Sequence, residues 1–249
     1  MGGRISLPKG SIFVRHDQTP IYNINDALLI GLAGQKGVGK DAFADALESA
    51  FYEHRRRPMR MAFAEGVKMS LSQHFLVPRQ YIEHWKNIDA VPPKFNMTMR
   101  QALQLIGEQM RTIQHDVWVN HLQSEIRGDS LITDVRHENE IDAIREWGGR
   151  LILVVRGATN DDDHISESTL KESSDWCLEN IKPRSPGGFV PMSTVQIPSD
   201  APSLVNRFEY VVFNDSTLVS LERTAAELIA HIIKEREEYD SEDPASMNI

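Results

Sequence analysis

The residues whose types and spacing most clearly suit a chemical role lie in a glycine-rich stretch over residues 28–43, LLIGLAGQKGVGKDAF. Gly34, Gly39 and Lys40 fit the spacing G-x-x-x-x-G-K of a phosphate-binding loop, in which backbone N–H groups surround phosphate oxygens and the lysine adds a mobile positive charge. An apolar run precedes the loop and an amphipathic segment follows it, as this motif requires. The pattern predicts a nucleotide phosphate site made of Gly34, Lys36, Gly37, Val38, Gly39, Lys40 and Asp41.

Asp41 stands where Ser or Thr usually follows the lysine of this motif. One interpretation is that its carboxylate stabilises the first turn of a helix through the helix dipole, by about 0.3 kcal/mol. The other is that the carboxylate replaces the hydroxyl that usually contacts Mg²⁺, directly or through water, since Mg²⁺ prefers hard oxygen ligands. We favour the second interpretation, and in both cases the backbone and Lys40 still make the phosphate site.

A second polar set lies along one predicted helix, within the stretch MTMRQALQLIGEQMRTIQHDVWV. Its members follow one another at intervals of 4, 3 and 4 residues, which at about 100° per residue places them in one narrow stripe. Such a stripe is commonly a solvated face. Because guanidinium groups bind phosphate and glycine admits a ligand close to the backbone, a bound phosphomonoester is the alternative. The members are Arg100, Gln104, Gly107 and Arg111.

The same helix carries an apolar stripe that should pack against the rest of the fold. Trp118 follows in the sequence, and its ring either stacks on a nucleotide base or belongs to the core. The apolar residues are Met99, Leu103, Ile106, Met110 and Ile113.

Charged residues also follow the third predicted strand, in ITDVRHENE. Asp134 falls at the carboxyl end of this strand, where open α/β sheets bind their ligands. Arg136 and Glu140 lie just beyond it. The structural alternative is that Asp134 caps the next helix while Arg136 pairs with Glu140 on that helix; beside a glycine loop, we favour functional roles.

Five short apolar runs alternate with helix-like segments, which predicts a parallel sheet covered on both faces. A formal charge of -9 argues against a broad nucleic-acid surface. The single Cys177 excludes an internal disulfide framework, and no signal peptide or long apolar span is evident, so we expect a cytoplasmic protein. The runs are 28–33, 60–64, 130–134, 151–155 and 209–213.

Six stretches in this order resemble the deoxynucleoside monophosphate kinases of tailed bacteriophages, a family of P-loop nucleoside monophosphate kinases. The resemblance implies a three-layer α/β/α fold around a five-stranded parallel sheet of order 2-3-1-4-5. It also implies ATP as donor, Mg²⁺ as cofactor and a deoxynucleoside 5′-monophosphate (dNMP) as acceptor. The stretches are GQKGVGKD, FAEGVKMSL, RQALQLIGEQMR followed by VW, DVRHENEID, HISE and NDST.

The resemblance also implies residue roles. Lys40 and its loop hold the donor phosphates, and Asp41 helps to place Mg²⁺. Catalytic roles fall to Lys40, Asp134, Arg136 and Glu140. The acceptor residues are Lys68, Arg100, Gln104, Gly107, Arg111, Trp118, Arg136 and Glu140.

In domain terms, the kinase domain is expected over 27–238, between an N-terminal extension at 1–26 and an acidic and polar tail at 239–249. A long segment at about 157–206 is expected to be lid-like or inserted. The HISE stretch with His164 belongs to this segment, and a lid there would exclude water from the reaction.

Two other functions stay open from the sequence. One is a P-loop kinase for another small phosphorylated acceptor, such as dephospho-coenzyme A. The other is a nucleotide-binding regulator or ATPase without a small acceptor. The partners that we expect are small nucleotides, without nucleic acid or membrane, and a homodimer is an assembly that the sequence leaves open.

Overall fold

The computed structural model describes residues 27–157, 165–185 and 187–242. In these residues one sheet has the strand order β2-β3-β1-β4-β6-β5. Every neighbouring pair is parallel except β5 with β6, which is antiparallel. The strands are β1 (Leu29–Ala33), β2 (Met59–Met61), β3 (Ser130–Val135), β4 (Arg150–Val155), β5 (Phe189–Pro191) and β6 (Tyr210–Phe213).

The predicted α/β/α fold is confirmed, and each of the five apolar runs overlaps a parallel strand, although the run 60–64 overlaps its strand only at residues 60 and 61 and ends in a helix that begins at Ala64. The predicted count of five strands is wrong, because a sixth strand, β5, pairs with the outer edge of β6. The order of the whole sheet differs only by this addition, since the five predicted strands keep the predicted order 2-3-1-4-5 among themselves. Strand β5 has only three residues, none of them fully buried, and ends in Pro191. So short a segment has no apolar run or alternation that a sequence pattern could reveal.

Helices cover both faces of the sheet. They are α1 (Lys40–Glu53), α2 (Ala64–Phe75), α3 (Arg79–Trp85), α4 (Met99–Ile113), α5 (Val117–Glu125), α6 (Glu138–Glu146), α7 (Ile165–Asn180) and α8 (Leu218–Glu242).

The central strand shows why the sequence of β1 is continuously apolar. Ile30 and Leu32 face the core cluster that α1 and α8 cover, whereas Leu29 and Ala33 face the cluster that α6 and α7 cover. All five residues of β1 are buried, as expected for a strand that is covered on both faces. A third, smaller cluster, which includes Leu71 and Met99, joins α2, α3 and α4.

Much of the segment at 157–206 packs on the sheet. Leu170 and Cys177 of α7 are fully buried in the same cluster as β4, and β5 extends the sheet. The lid residues around His164 lie at 158–164, outside the described residues, as do 1–26 and 243–249. None of the helices in the described part of the chain has the length and apolarity that a membrane crossing needs.

Candidate active site

The glycine loop connects β1 to α1 at the carboxyl edge of the sheet. All three of its glycines have positive φ angles, 146° at Gly34, 83° at Gly37 and 88° at Gly39. A Cβ atom at Gly34 would lie 2.4 Å from the carbonyl oxygen of Val154, and one at Gly39 would lie 2.2 Å from Nδ2 of Asn214. These two positions therefore require glycine both for backbone conformation and for space.

Lys40 begins α1 and its side chain folds back over the loop. Its Nζ donates to the carbonyl oxygens of Gly34 and Gln35, each at 2.6 Å. Lys36 and Gly37 at the tip of the loop are exposed, whereas Val38 is fully buried against the core. The loop therefore has a fixed base and an accessible tip.

Asp41, in the first turn of α1, has a partner that its sequence neighbours do not reveal. Its Oδ1 lies 3.2 Å from Nη2 of Arg60 on β2, and 92% of the Asp41 side chain is exposed. Arg60 also pairs with Asp45, one helical turn further along α1. Asp41 is thus an accessible carboxylate beside the glycine loop, which is the kind of single oxygen donor that Mg²⁺ combines with phosphates and water.

Asp134 lies close to the glycine loop because β3 pairs with β1, with Val135 opposite Ala33. Its Oδ1 accepts a hydrogen bond from the backbone N–H of Phe63 (2.7 Å) and its Oδ2 accepts one from that of Ala64 (2.9 Å). Asp134 therefore caps α2 rather than the helix that follows it. Burial raises the pKa of Asp134, although these hydrogen bonds and the nearby cations oppose the shift.

Lys68 of α2 is held by two carboxylates. Its Nζ lies 2.7 Å from Oε1 of Glu65 and 3.0 Å from Oε1 of Glu83 on α3. Burial by itself would lower the pKa of Lys68, but the hydrogen bonds to Glu65 and Glu83 outweigh it and raise the pKa. The positive charge of Lys68 also favours the ionised form of Asp134. Lys68 is therefore a cation that α2 and α3 hold in a fixed position.

Glu140 of α6 is buried, with 2% of the residue exposed. Its Oε2 accepts hydrogen bonds from the backbone N–H groups of Arg136 (2.8 Å) and His137 (3.1 Å). Its Oε1 lies 3.5 Å from Nη2 of Arg111. Burial and the nearby Asp134 carboxylate raise the pKa of Glu140 to about 7, although the two hydrogen bonds and Arg111 act in the opposite direction.

Trp118 of α5 joins three helices. Its Nε1 donates to the carbonyl oxygen of Gly107 on α4 at 3.1 Å, and only 4% of Trp118 is exposed. A Cβ atom on Gly66 of α2 would lie 2.9 Å from the indole ring. Of the two sequence interpretations, the structure therefore supports Trp118 as a core residue that holds the α4 backbone at Gly107.

The two side chains at the start of the polar stripe, Arg100 and Gln104, lie further from Arg111 along α4 than Gly107 does. Arg100 is exposed and Gln104 is partly exposed, and the rise of an α-helix separates Arg100 from Arg111 by about 16 Å along the axis. The long predicted helix ends at Ile113, and a new helix begins at Val117. Ile113 is 80% exposed, so the apolar stripe ends before this residue.

Taken together, the structure places the glycine loop, Asp134, Arg136 and Glu140 at the carboxyl edge of neighbouring strands and brings Arg111 to Glu140. It leaves Arg100 at the distant end of α4. Sequence reasoning missed the roles of Arg60 and Asn214. Asn214 belongs to the NDST stretch, which carried the family resemblance but no assigned role, whereas nothing in the local sequence pairs Arg60 with Asp41.

The sequence of this chain is similar to that of one known family of proteins. A family model described as deoxynucleotide monophosphate kinase matches residues 77–182. This range contains α4, Asp134 and Glu140, whereas the glycine loop lies before it. A protein of Acanthamoeba polyphaga mimivirus, provisionally assigned as a deoxynucleotide monophosphate kinase, is 30% identical over 177 residues. The match covers 62% of this chain and 89% of the viral protein.

Proposed function

Because this chain belongs to the deoxynucleotide monophosphate kinase family, we propose that it transfers the γ-phosphoryl group of ATP to a dNMP, giving a dNDP and ADP. The observation that best supports this proposal is the position of the Arg111–Glu140 pair, next to the strand end that adjoins the glycine loop. The loop could bind the phosphates of a donor, and the second cationic group at the same sheet edge could bind the phosphate of an acceptor.

On the donor side, the loop over 34–39 and the start of α1 would hold the triphosphate through backbone N–H groups and the helix dipole. Lys40 would neutralise the outer phosphates once its Nζ moves from the carbonyl oxygens of Gly34 and Gln35. Asp41 would help to hold Mg²⁺, which when bound neutralises charge on the phosphate oxygens. This role competes with the ion pair between Asp41 and Arg60.

On the acceptor side, Arg111 would bind the phosphate of the dNMP, because a guanidinium can donate two parallel hydrogen bonds to it. Glu140 fixes the position of Arg111, and Asp134 fixes the start of α2 and hence Lys68. Gly107 is buried beside Arg111, and a Cβ atom there would make only ordinary contacts, so the glycine leaves space next to the guanidinium. Phosphoryl transfer needs little covalent chemistry from the protein, so positioning and charge neutralisation are the main tasks of these residues.

The direct test is a coupled assay of ADP release with ATP, Mg²⁺ and each of the dNMPs and NMPs in turn. We expect ADP release to depend on a dNMP, and we expect Lys40→Met to lower kcat by orders of magnitude while the protein stays folded. Release that needs dephospho-coenzyme A instead would support the other acceptor class. ADP release or ATP binding that no acceptor changes would support a regulator or ATPase.

The proposal concerns small nucleotides in the cytoplasm. The net charge of -9 suits a positive cleft in an acidic protein better than a nucleic-acid surface. A homodimer stays a prediction, which sedimentation of the purified protein would test.

A further inference from the structure

Asn214 lies directly after β6 and is buried, with 8% of the residue exposed. Its backbone N–H donates to the carbonyl oxygen of Val155 at 2.8 Å, at the end of β4. Its side-chain Nδ2 donates to the carbonyl oxygen of Val38 at 2.7 Å, across 176 positions of sequence. One residue therefore connects the ends of two strands to the backbone of the glycine loop.

The bond to Val38 fixes the orientation of a whole peptide group. The peptide between Val38 and Gly39 is trans, since the described residues contain no cis peptide. In a planar trans peptide the C=O and N–H groups point in opposite directions. Because Asn214 holds the C=O of Val38, the N–H of Gly39 must point away from Asn214.

The close packing at Gly39 leaves this peptide little freedom. The amide nitrogen of Asn214 would lie only 2.2 Å from a Cβ atom on Gly39, and Gly39 is the N-cap residue of α1. The N–H groups at such a helix start are the donors that bind phosphate. Without the Asn214 amide, the peptide could rotate and direct a carbonyl oxygen toward the anion.

We propose that Asn214 is a positioning residue for the donor phosphates, acting through the Val38–Gly39 peptide. The proposal rests on the proposed function in taking ATP as the ligand of the loop. It requires no contact between Asn214 and the nucleotide. Asn214 should therefore affect any ligand with a polyphosphate group, whether or not that ligand carries a nucleoside.

Asp215 offers a matched control in the same turn. Its Oδ1 accepts a hydrogen bond from the backbone N–H of Gly187 at 2.9 Å, so its side chain holds a different loop. Replacing Asp215 by Ala changes the adjacent position of the same turn but removes no atom of the bond between Asn214 and Val38.

The experiment measures by calorimetry the affinity of MgATP and of inorganic tripolyphosphate for wild type, Asn214→Ala, Asn214→Ser and Asp215→Ala. Thermal melts verify folding, and Asn214→Ser supplies the test if Asn214→Ala does not fold. We expect the Asn214 variants to bind both ligands more weakly by the same factor, about tenfold. This factor corresponds to the loss of one hydrogen bond of ordinary strength. The KM for ATP should rise equally, the KM for dNMP should change less than twofold, and Asp215→Ala should bind both ligands as wild type does.

Three results would overturn the proposal. If the Asn214 variants bound ATP more weakly but bound tripolyphosphate as wild type does, Asn214 would act on the nucleoside instead. If the Asn214 variants bound both ligands as wild type does, Asn214 would not position the donor phosphates. The same conclusion would follow if Asp215→Ala lost as much affinity as the Asn214 variants. Wild-type protein that shows the expected binding pattern but no dNMP-dependent ADP release would contradict the proposed function and leave the role of Asn214 standing.

Discussion

Arg111 and Glu140 connect helices that are remote in sequence, with Nη2 of Arg111 3.5 Å from Oε1 of Glu140. The other oxygen of Glu140 is occupied by the backbone N–H groups of Arg136 and His137. The carboxylate therefore cannot turn freely, and it orients the guanidinium from a buried position. A cation held in this way loses less conformational entropy when it binds a phosphate than a free side chain would.

Glu140→Gln should change how stability depends on pH. The pKa of Glu140 is about 7 in the folded protein, above the ordinary 4.5, so between these values the folded state holds a proton that the unfolded state has lost. The stabilisation is complete below pH 4.5 and is lost as the pH rises through 7. The free energy of unfolding, measured with urea at pH 5 and pH 8, should fall more in wild type than in Glu140→Gln, by about 2.5 kcal/mol. Equal falls would show that Glu140 titrates normally.

If Arg111 binds the acceptor phosphate as proposed, Arg111→Gln should raise the KM for dNMP at least tenfold and leave the KM for ATP nearly unchanged, because the guanidinium that would bind that phosphate is lost. Arg100→Gln should also raise the KM for dNMP more than that for ATP if the whole stripe binds the acceptor. Steady-state kinetics with each substrate varied in turn provide the measurement. If neither variant alters the acceptor KM, the stripe is a solvated face.

Gly107→Ala separates a binding role from a structural one. An added Cβ atom would lie 3.5 Å from Nη1 of Arg111, an ordinary contact, and alanine favours a helix over glycine by about 1 kcal/mol. We expect the variant to be as stable as wild type or more so, with a raised KM for dNMP because the methyl group occupies ligand space. An acceptor KM equal to that of wild type, in a variant with unchanged or raised stability, would mean that no ligand approaches α4 at this position.

If Asp41 helps to hold Mg²⁺ as proposed, Asp41→Asn should increase the Mg²⁺ concentration needed for half-maximal rate at saturating ATP and dNMP, because the site would lose one charged oxygen. Stability should change little, since the ion pair with Arg60 is exposed. Arg60→Gln is the matched control: it removes the same ion pair but keeps the carboxylate, so it should need no more Mg²⁺ than wild type. An unchanged Mg²⁺ requirement in Asp41→Asn, with a small loss of stability, would leave Asp41 as a residue that only stabilises the helix.

The parts of the fold that sequence patterns predicted are those set by neighbouring residues. Strands β1, β4 and β6 are nearly continuous apolar runs because both of their faces are covered, as the burial of almost all their residues shows. The glycine loop is equally local, since its backbone conformation needs glycines at fixed intervals between a strand and a helix. Strand β5 escaped prediction because three partly exposed residues carry no periodic signal.

The parts that only the tertiary structure decided are contacts between residues far apart in the chain. Asp134 was predicted to be either functional or a cap of the next helix, and it caps α2 through residues 71 and 70 positions away. The sequence predicted Trp118 either against a base or in the core, and its burial against α4 supports the core position. No sequence pattern predicted that Asp41 pairs with Arg60 or that Asn214 donates to the carbonyl oxygen of Val38. The physical reason is that the spacing of residues encodes which face of a helix or strand is buried, whereas hydrogen bonds across the core depend on how the packed elements meet.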